Sequence, residues 1–237
     1  MNPARLRDRR LISIFDRHAH VGPGRRVLEA GCGDSPWLPF LARDRRCVVT
    51  GLEIDADAAR LAEANLAGAR VRGEILVRDA FDVGTNEDLL GRFDLVYSMG
   101  VVEHLANPVD GLHALARYLR PGGRVLTTVP NLKGWNGMIQ YLGSVDELEM
   151  HEIYDVPRLA WIHDCAGFEM LACGYVGFFD GHLSSSSGAK GGVRRRLHRF
   201  VCDATGGAAE IWARATAGRL APETSMLSPY LFYVGAV

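Results

Sequence analysis

Residues Val27-Leu-Glu-Ala-Gly-Cys-Gly33 constrain this chain more than any other stretch. An apolar run ends there in Glu29-x-Gly31-x-Gly33, the pattern of a buried strand that breaks into a glycine turn and continues as a helix. Ser35 suits the N-cap and Pro36 the first helical position, and Trp37, Phe40 and Leu41 supply an apolar face behind them. Glycines at such a turn let a ligand approach the backbone, where a Cβ would block it or forbid a positive φ. The stretch predicts a nucleotide-like cofactor lying across the turn.

Two cofactor classes compete for that turn. A dinucleotide site wants a third glycine for close helix–strand packing and a helix N-terminus facing pyrophosphate. Here Pro36 takes the third-glycine position, and Glu29 sets a carboxylate that repels pyrophosphate but suits the ammonium of an amino acid. Glu53 follows a second strand-like run, Cys47 to Leu52. It stands about 20 residues past the glycines, where an acid meets ribose hydroxyls in doubly wound folds. One acid for an ammonium and one for a ribose describe S-adenosylmethionine better than NAD. A tight turn with no ligand stays an alternative.

Downstream, Arg70 to Arg78 reads as a third strand with Asp79-Ala80-Phe81 at its carboxyl end. Such an aspartate can accept from an adenine amino group while the apolar neighbour covers the ring. Phe93 to Ser98 reads as a fourth strand, followed by Met99 to Leu105. Asn107-Pro108 caps a helix carrying Leu112, Leu115 and Leu119, Leu119-Arg-Pro-Gly-Gly123 stops it, and Arg124 to Val129 makes a fifth strand. Strands and helices alternate at the spacing of βαβ units, which predicts a parallel sheet covered on both faces.

In order and spacing, Glu29-Ala-Gly-Cys-Gly33, Leu52-Glu53-Ile54-Asp55, Arg78-Asp79-Ala80-Phe81, Phe93-Asp-Leu-Val, Val102-Glu103-His104-Leu105 and Leu119-Arg-Pro-Gly-Gly123 are similar to class I S-adenosylmethionine-dependent methyltransferases. The match runs from about Arg25 to Pro130. The resemblance implies a Rossmann-like three-layer sandwich around a seven-stranded, mostly parallel sheet whose last strand is antiparallel. It also implies S-adenosylmethionine as cofactor, with S-adenosylhomocysteine as product. Carried over by position, Glu29, Gly31 and Gly33 line the methionine moiety, Glu53 the ribose, and Asp79 with Ala80 or Phe81 the adenine, with Cys32 and Ile54 also counted as cofactor-binding. Ser98, Met99 and His104 fall near the sulfonium and the acceptor.

Composition fits an enzyme with a full core: 237 residues, 48% hydrophobic, formal net charge −1. That balance gives no electrostatic case for nucleic acid as main partner. No long apolar run points to a membrane, and the arginine-studded start lacks a signal-peptide stretch, so a cytoplasmic protein is expected. A homodimer is left open. The five cysteines lack paired metal-type spacing and read as reduced thiols.

We read one methyltransferase domain: an amino-terminal helix or lid over 1–24, a cofactor-binding core over 25–130, and acceptor-side segments with the last strands over 131–237. The last part reads as a Gly/Asn-rich loop, a helix from Val156 to Ala166 stopped by Gly167, and a strand from Phe168 to Val176. A mobile polar stretch from Gly181 to Gly192, one or two helices between Val193 and Leu220, and a last strand from Pro229 to Val237 complete it. Trp135, Tyr141, Phe178, Phe179 and Trp212 lie on the lid segments, where aromatics suit a flat or apolar acceptor or simply pack the lid onto the core.

Methyl transfer from a sulfonium is an in-line displacement that rewards alignment, with a base needed for a hydroxyl acceptor. His104 and His151 are the catalytic candidates, His151 being the better placed after a variable loop. His163 falls on an apolar stripe with Leu159, Ile162 and Ala166 and reads as core. Some members of the family, quinone O-methyltransferases and small-RNA 2′-O-methyltransferases among them, hold a divalent cation with E-x-x-E-H. Here Gly100 replaces the first glutamate, and Glu103 with His104 are too few, so no metal is expected. The reading is a methyltransferase acting on a small-molecule acceptor, at oxygen first, in natural-product tailoring. Transfer to nitrogen or carbon, a non-catalytic S-adenosylmethionine-binding module and an NAD-dependent oxidoreductase remain as alternatives.

Overall fold

The computed structural model describes residues 6–143, 151–178, 192–216 and 221–237. Seven strands form one sheet in the order β3-β2-β1-β4-β5-β7-β6. They are β1 Arg26–Ala30, β2 Val48–Glu53, β3 Glu74–Val77, β4 Phe93–Met99, β5 Leu119–Pro130, β6 Glu169–Val176 and β7 Tyr230–Ala236. β1 to β5 pair in parallel, whereas β7 runs antiparallel to both β5 and β6. This is the sheet the resemblance implies. The strand order reverses between β1 and β4, and in open α/β sheets the carboxyl ends at such a point form the ligand crevice.

Alternation along the strands sends Val27, Leu95, Tyr97, Leu126 and Val234 to one face, and Leu28, Val96, Val125 and Tyr233 to the other. The first face is covered by α1 Leu6–His18, α2 Trp37–Asp44 and α3 Ala56–Gly68. The second is covered by α4 Pro108–Tyr118 and α6 Val156–Cys165. On α1, Phe15 is fully buried, its ring 5.3 Å from that of Trp37 and 5.5 Å, edge-on, from that of Tyr97. His163 is core as expected: its ring stacks on Tyr233 at 3.8 Å and bridges the Leu159 carbonyl and Thr127 Oγ1.

Several boundaries differ from the sequence reading. α2 starts at Trp37, with Pro36 before it as N-cap, yet Ser35 still caps by accepting from the Trp37 N–H at 3.1 Å. β3 is only Glu74–Val77, because the preceding residues close α3: Arg70 takes φ 56 and the Val71 N–H returns to the Leu66 carbonyl. β5 begins at Leu119, paired with Phe93, before a register shift to the Leu95–Arg124 pair. The expected Gly/Asn-rich loop contains a helix, α5 Trp135–Gly143. Its glycines serve close approach: a Cβ on Gly137 would fall on the Leu132 carbonyl, and one on Gly134 would stand 2.5 Å from the Ser225 carbonyl. A single helix, α7 Gly192–Ala215, covers much of the segment where one or two were expected. The polar stretch from Gly181, up to residue 191, and Phe179 lie outside the described residues.

Candidate active site

The register of β1 against β4 sets Glu29 beside Tyr97, whose hydroxyl donates to Glu29 Oε2 at 2.7 Å. Glu29 is 1% exposed. Burial pushes its carboxyl up to about 8, while hydrogen bonds from Tyr97 and Ser35 pull the other way. The same burial drives the Cys32 thiol up to about 12, which leaves it unreactive.

Beyond β1 the backbone turns through Gly31 at φ 68 and Gly33 at φ 43. The N–H groups of Gly31 and Cys32 both donate to the Leu52 carbonyl, at 2.9 and 3.0 Å, tying the turn to the end of β2. A Cβ on Gly31 would meet Val101 Cγ2 at 2.8 Å. The Gly33 N–H donates to Glu53 Oε2 at 2.8 Å and the Asp55 N–H to Glu53 Oε1 at 3.0 Å. Two backbone donors therefore aim the Glu53 carboxylate.

A cavity of about 850 Å³ opens at the carboxyl ends of β1, β4 and β5. Ligand sites commonly measure roughly 300–1,000 Å³. One wall is the glycine turn from Gly31 to Trp37 with Glu29 behind it; the next is Met99, Gly100, Glu103 and His104 after β4. Thr128 and Pro130 of β5, Leu132, Asn136 and Gln140 around α5, His151 and Tyr230 close the far side, and Arg7, Asp8 and Leu11 of α1 cover it.

Of the residues singled out from sequence, Glu29, Gly31, Cys32, Gly33, Met99, His104 and His151 line this cavity. Six do not. Glu53 is joined to it through Gly33, and Ile54 is 70% exposed beyond it. Asp79 accepts from the Phe81 N–H at 2.8 Å at the end of β3, the Ala80 carbonyl accepts from the Tyr118 hydroxyl, and Phe81 packs toward Gly111. Ser98 is fully buried between Ala30 and Thr127 in the sheet, its hydroxyl without a hydrogen-bond partner.

The two histidines meet: the rings of His104 and His151 have centroids 4.4 Å apart. Their approach is anchored where the Glu152 N–H donates to the Glu103 carbonyl at 2.9 Å. Glu103 itself is 3% exposed, and its Oε2 is buried with no hydrogen-bond partner. Burial pushes its carboxyl up to about 7. Gly100 holds φ 72, so a glutamate at that position would be strained, and its Cβ would stand 3.5 Å from Glu103 Oε1. Among the described residues, no group of three or more His, Cys, Asp or Glu is arranged to hold a metal ion.

The sequence reading passed over several wall residues, Arg7, Asp8, Asn136 and Gln140 among them. Arg7 and Asp8 pair at 3.0 Å, Asp8 being 2% exposed, and Arg7 Nη1 lies 3.5 Å from the Tyr230 hydroxyl. An amphipathic helix at the amino terminus was legible, but not that its polar edge would turn inward. Asn136 and Gln140, 3% and 6% exposed, stand one turn apart on α5, a spacing visible in the sequence once that segment is taken as helical. Of the aromatics expected at the mouth, the described ones, Trp135, Tyr141, Phe178 and Trp212, do not line the cavity. Trp37 and Tyr230 do so instead, while Tyr141 and Trp212 are at least half exposed.

A family model described as a methyltransferase domain matches residues 4–172. Among curated proteins, the chain is 34% identical over 125 residues to a ubiquinone biosynthesis O-methyltransferase of Alkalilimnicola ehrlichii, covering 51% of this chain and 48% of that protein. It is 29% identical over 158 residues to the ubiquinone biosynthesis O-methyltransferase of Erwinia tasmaniensis, covering 67% and 59%. The chain thus spans about half the length of the curated relatives it matches. Among solved structures, the geranyl diphosphate C-methyltransferase of Streptomyces coelicolor, crystallised with Mg2+, geranyl diphosphate and S-adenosyl-L-homocysteine, shares the fold. Its TM-score is 0.62 at 14% identity, covering 97% of this chain and 78% of that one.

Proposed function

Because this chain belongs to the class I S-adenosylmethionine-dependent methyltransferases, we propose that it transfers a methyl group to an oxygen nucleophile on a small biosynthetic acceptor, natural-product precursors included. The observation that carries the reading is a cavity bounded on one side by the glycine turn with buried Glu29 and on the other by the His104–His151 pair. Its donor set fits the cofactor. Glu29 is a buried acid that can meet an ammonium, and Glu53 a carboxylate aimed from beside Gly33 at ribose hydroxyls. Asp79, with Ala80 and Phe81, takes the adenine end, and Ile54 flanks the ribose.

When bound, S-adenosylmethionine supplies a methyl carbon already activated by the sulfonium. The protein's work is alignment and proton removal. Gly31, Cys32 and Gly33 clear the backbone so that the methionine moiety can lie against it. Ser98 and Met99, closing β4, sit behind the sulfonium position. His151 accepts the acceptor's proton, and His104, in ring contact with it, holds its ring in place. Asn136 and Gln140 orient the acceptor from α5. An oxygen acceptor is favoured over nitrogen because a paired-imidazole wall is an expensive feature for an amine, which needs little base.

Calorimetric titration with S-adenosylmethionine, with NAD as control, followed by an acceptor screen read as S-adenosylhomocysteine release, tests this. Saturable binding with turnover on hydroxylated acceptors is the expected result. NAD binding would overturn the cofactor assignment, and binding without turnover on any acceptor class would make the protein an interaction module.

A further inference from the structure

Two carboxyls are buried in the cavity wall, and among the described residues no arginine, lysine or histidine offsets the burial of either. They are Glu29 and Glu103, and Glu103 Oε2 has no hydrogen-bond partner at all. Where the fold alone requires a buried acid, it supplies the cation. Asp94, at the amino end of β4 and away from the cavity, meets Arg25 at 2.7 Å, Arg120 at 2.5 Å and the Arg26 N–H at 2.8 Å. An acid left unpaired in a wall is costly to bury, and a ligand that brings the missing positive charge accounts for the cost.

Local structure turns Glu103 inward. It sits on a single 3-10 turn, Val102–His104, whose Val102 is fully buried. Gly100, at φ 72, folds the chain back so that its Cβ position falls 3.5 Å from Glu103 Oε1. Val101 lies against Gly31, where a Cβ would meet its Cγ2 at 2.8 Å. The turn bearing Glu103 is therefore packed on the glycine turn after β1, and the two acids stand in adjoining walls of one cavity. On its other side Glu103 borders the bases. His104 follows it, and its carbonyl receives the Glu152 N–H next to His151.

S-adenosylmethionine carries two positive charges, an ammonium and a sulfonium, and S-adenosylhomocysteine keeps only the ammonium. We propose that Glu103 is the counter-charge for the sulfonium, by which this protein tells S-adenosylmethionine from S-adenosylhomocysteine. The assignment rests on the reading of the cavity as the methyl-transfer site. In that reading the methyl group faces His151, so the sulfur end belongs toward the wall that Glu103 shares with His104, and Glu29 is left to the ammonium. The carboxylate need not touch sulfur, because opposite charges shielded from water attract across several ångströms.

Calorimetric titration of the full chain near pH 8, above the value of about 7 to which burial pushes the Glu103 carboxyl, tests this with three ligands. They are S-adenosylmethionine, S-adenosylhomocysteine and sinefungin, in which an amine-bearing carbon replaces the methylated sulfur. Glu103→Gln keeps the shape and drops the charge. It should weaken S-adenosylmethionine and sinefungin about tenfold and leave S-adenosylhomocysteine within about twofold. Glu103→Met, apolar and of similar length, should repeat that pattern, and melting curves show that each variant is folded. Glu29→Gln should instead weaken all three ligands alike, since each keeps the ammonium. Equal losses for S-adenosylmethionine and S-adenosylhomocysteine in the Glu103 variants, or no loss for either, overturn the proposal and leave the methyltransferase reading standing. Magnesium binding by the parent that Glu103→Gln abolishes also overturns it, giving the carboxyl to a metal. A parent that binds neither S-adenosylmethionine nor S-adenosylhomocysteine ends the methyltransferase reading, and the proposal with it.

Discussion

Glu29 carries the sharpest consequence at the scale of single residues. Its folded carboxyl lies near 8, above its ordinary value, because burial penalises the anion. The unfolded chain gives up that proton near pH 4.5 whereas the folded one keeps it, so the group costs stability progressively as pH rises from about 4.5 to 8. Glu29→Gln removes the penalty. Its melting temperature should match the parent near pH 4 and exceed it increasingly toward pH 8, each pKa unit being worth about 1.4 kcal/mol. The same variant should bind S-adenosylmethionine more weakly, since an amide cannot answer an ammonium with charge. A melting difference that does not grow with pH would show that Glu29 ionises freely in the fold. For the adenosine end, Glu53→Ala and Asp79→Ala should each weaken cofactor binding by roughly 1.5–3 kcal/mol through lost charge-assisted hydrogen bonds; unchanged affinity in both would sink the placement. His151→Ala should cut turnover about 10²-fold or more with little change in cofactor affinity. Full turnover in His151→Ala would remove that residue from the chemistry.

Among the elements, α1 does the most for the site while lying outside the sheet order. It is held by Phe15 against Trp37 and Tyr97, by Arg10 to Glu223 at 2.7 Å, and by Arg7 over the Tyr230 ring. Phe15→Ala should cost about 3–5 kcal/mol in urea unfolding, as a buried aromatic does. In our reading it also loosens the cover over the cofactor, so cofactor affinity should fall beyond what lost stability explains. Affinity equal to the parent's in the folded variant would confine α1 to packing. Pattern made most elements legible. Asn107 and Pro108 announced α4, whose Asn107 side chain accepts from the Asp110 N–H, and Gly167, at φ 83, announced the end of α6. α5 was not legible because Gly134 and Gly137 read as loop residues, although what they provide is close approach to the carbonyls of Ser225 and Leu132. Nothing local distinguishes those two uses of glycine.

For the molecule as a whole, a ligand that binds only the folded state stabilises it by mass action, about 2.7 kcal/mol at one hundred times its Kd. S-adenosylmethionine should therefore raise the melting temperature in a concentration-dependent way and NAD should not. The reverse pattern would return the oxidoreductase to the lead. Chelator should leave turnover unchanged, since Gly100 stands where a glutamate ligand would be; loss restored by magnesium would overturn that expectation.

Local sequence was enough to determine the strand–turn–helix at Glu29-x-Gly31-x-Gly33, the alternation that builds a parallel sheet, and the acids at the ends of the first three strands. Those features depend on residues within a turn or a strand of one another, where backbone sterics and a two- or 3.6-residue period decide the outcome. Only the tertiary structure decided that His104 meets His151, that Glu29 is buried deeply enough to push its carboxyl upward, that Arg7 and Asp8 face the cavity, and that α7 turns Phe200 and Ile211 to solvent. Each of these depends on which distant segments pack together, and desolvation and contact across such distances leave no periodic trace in the chain.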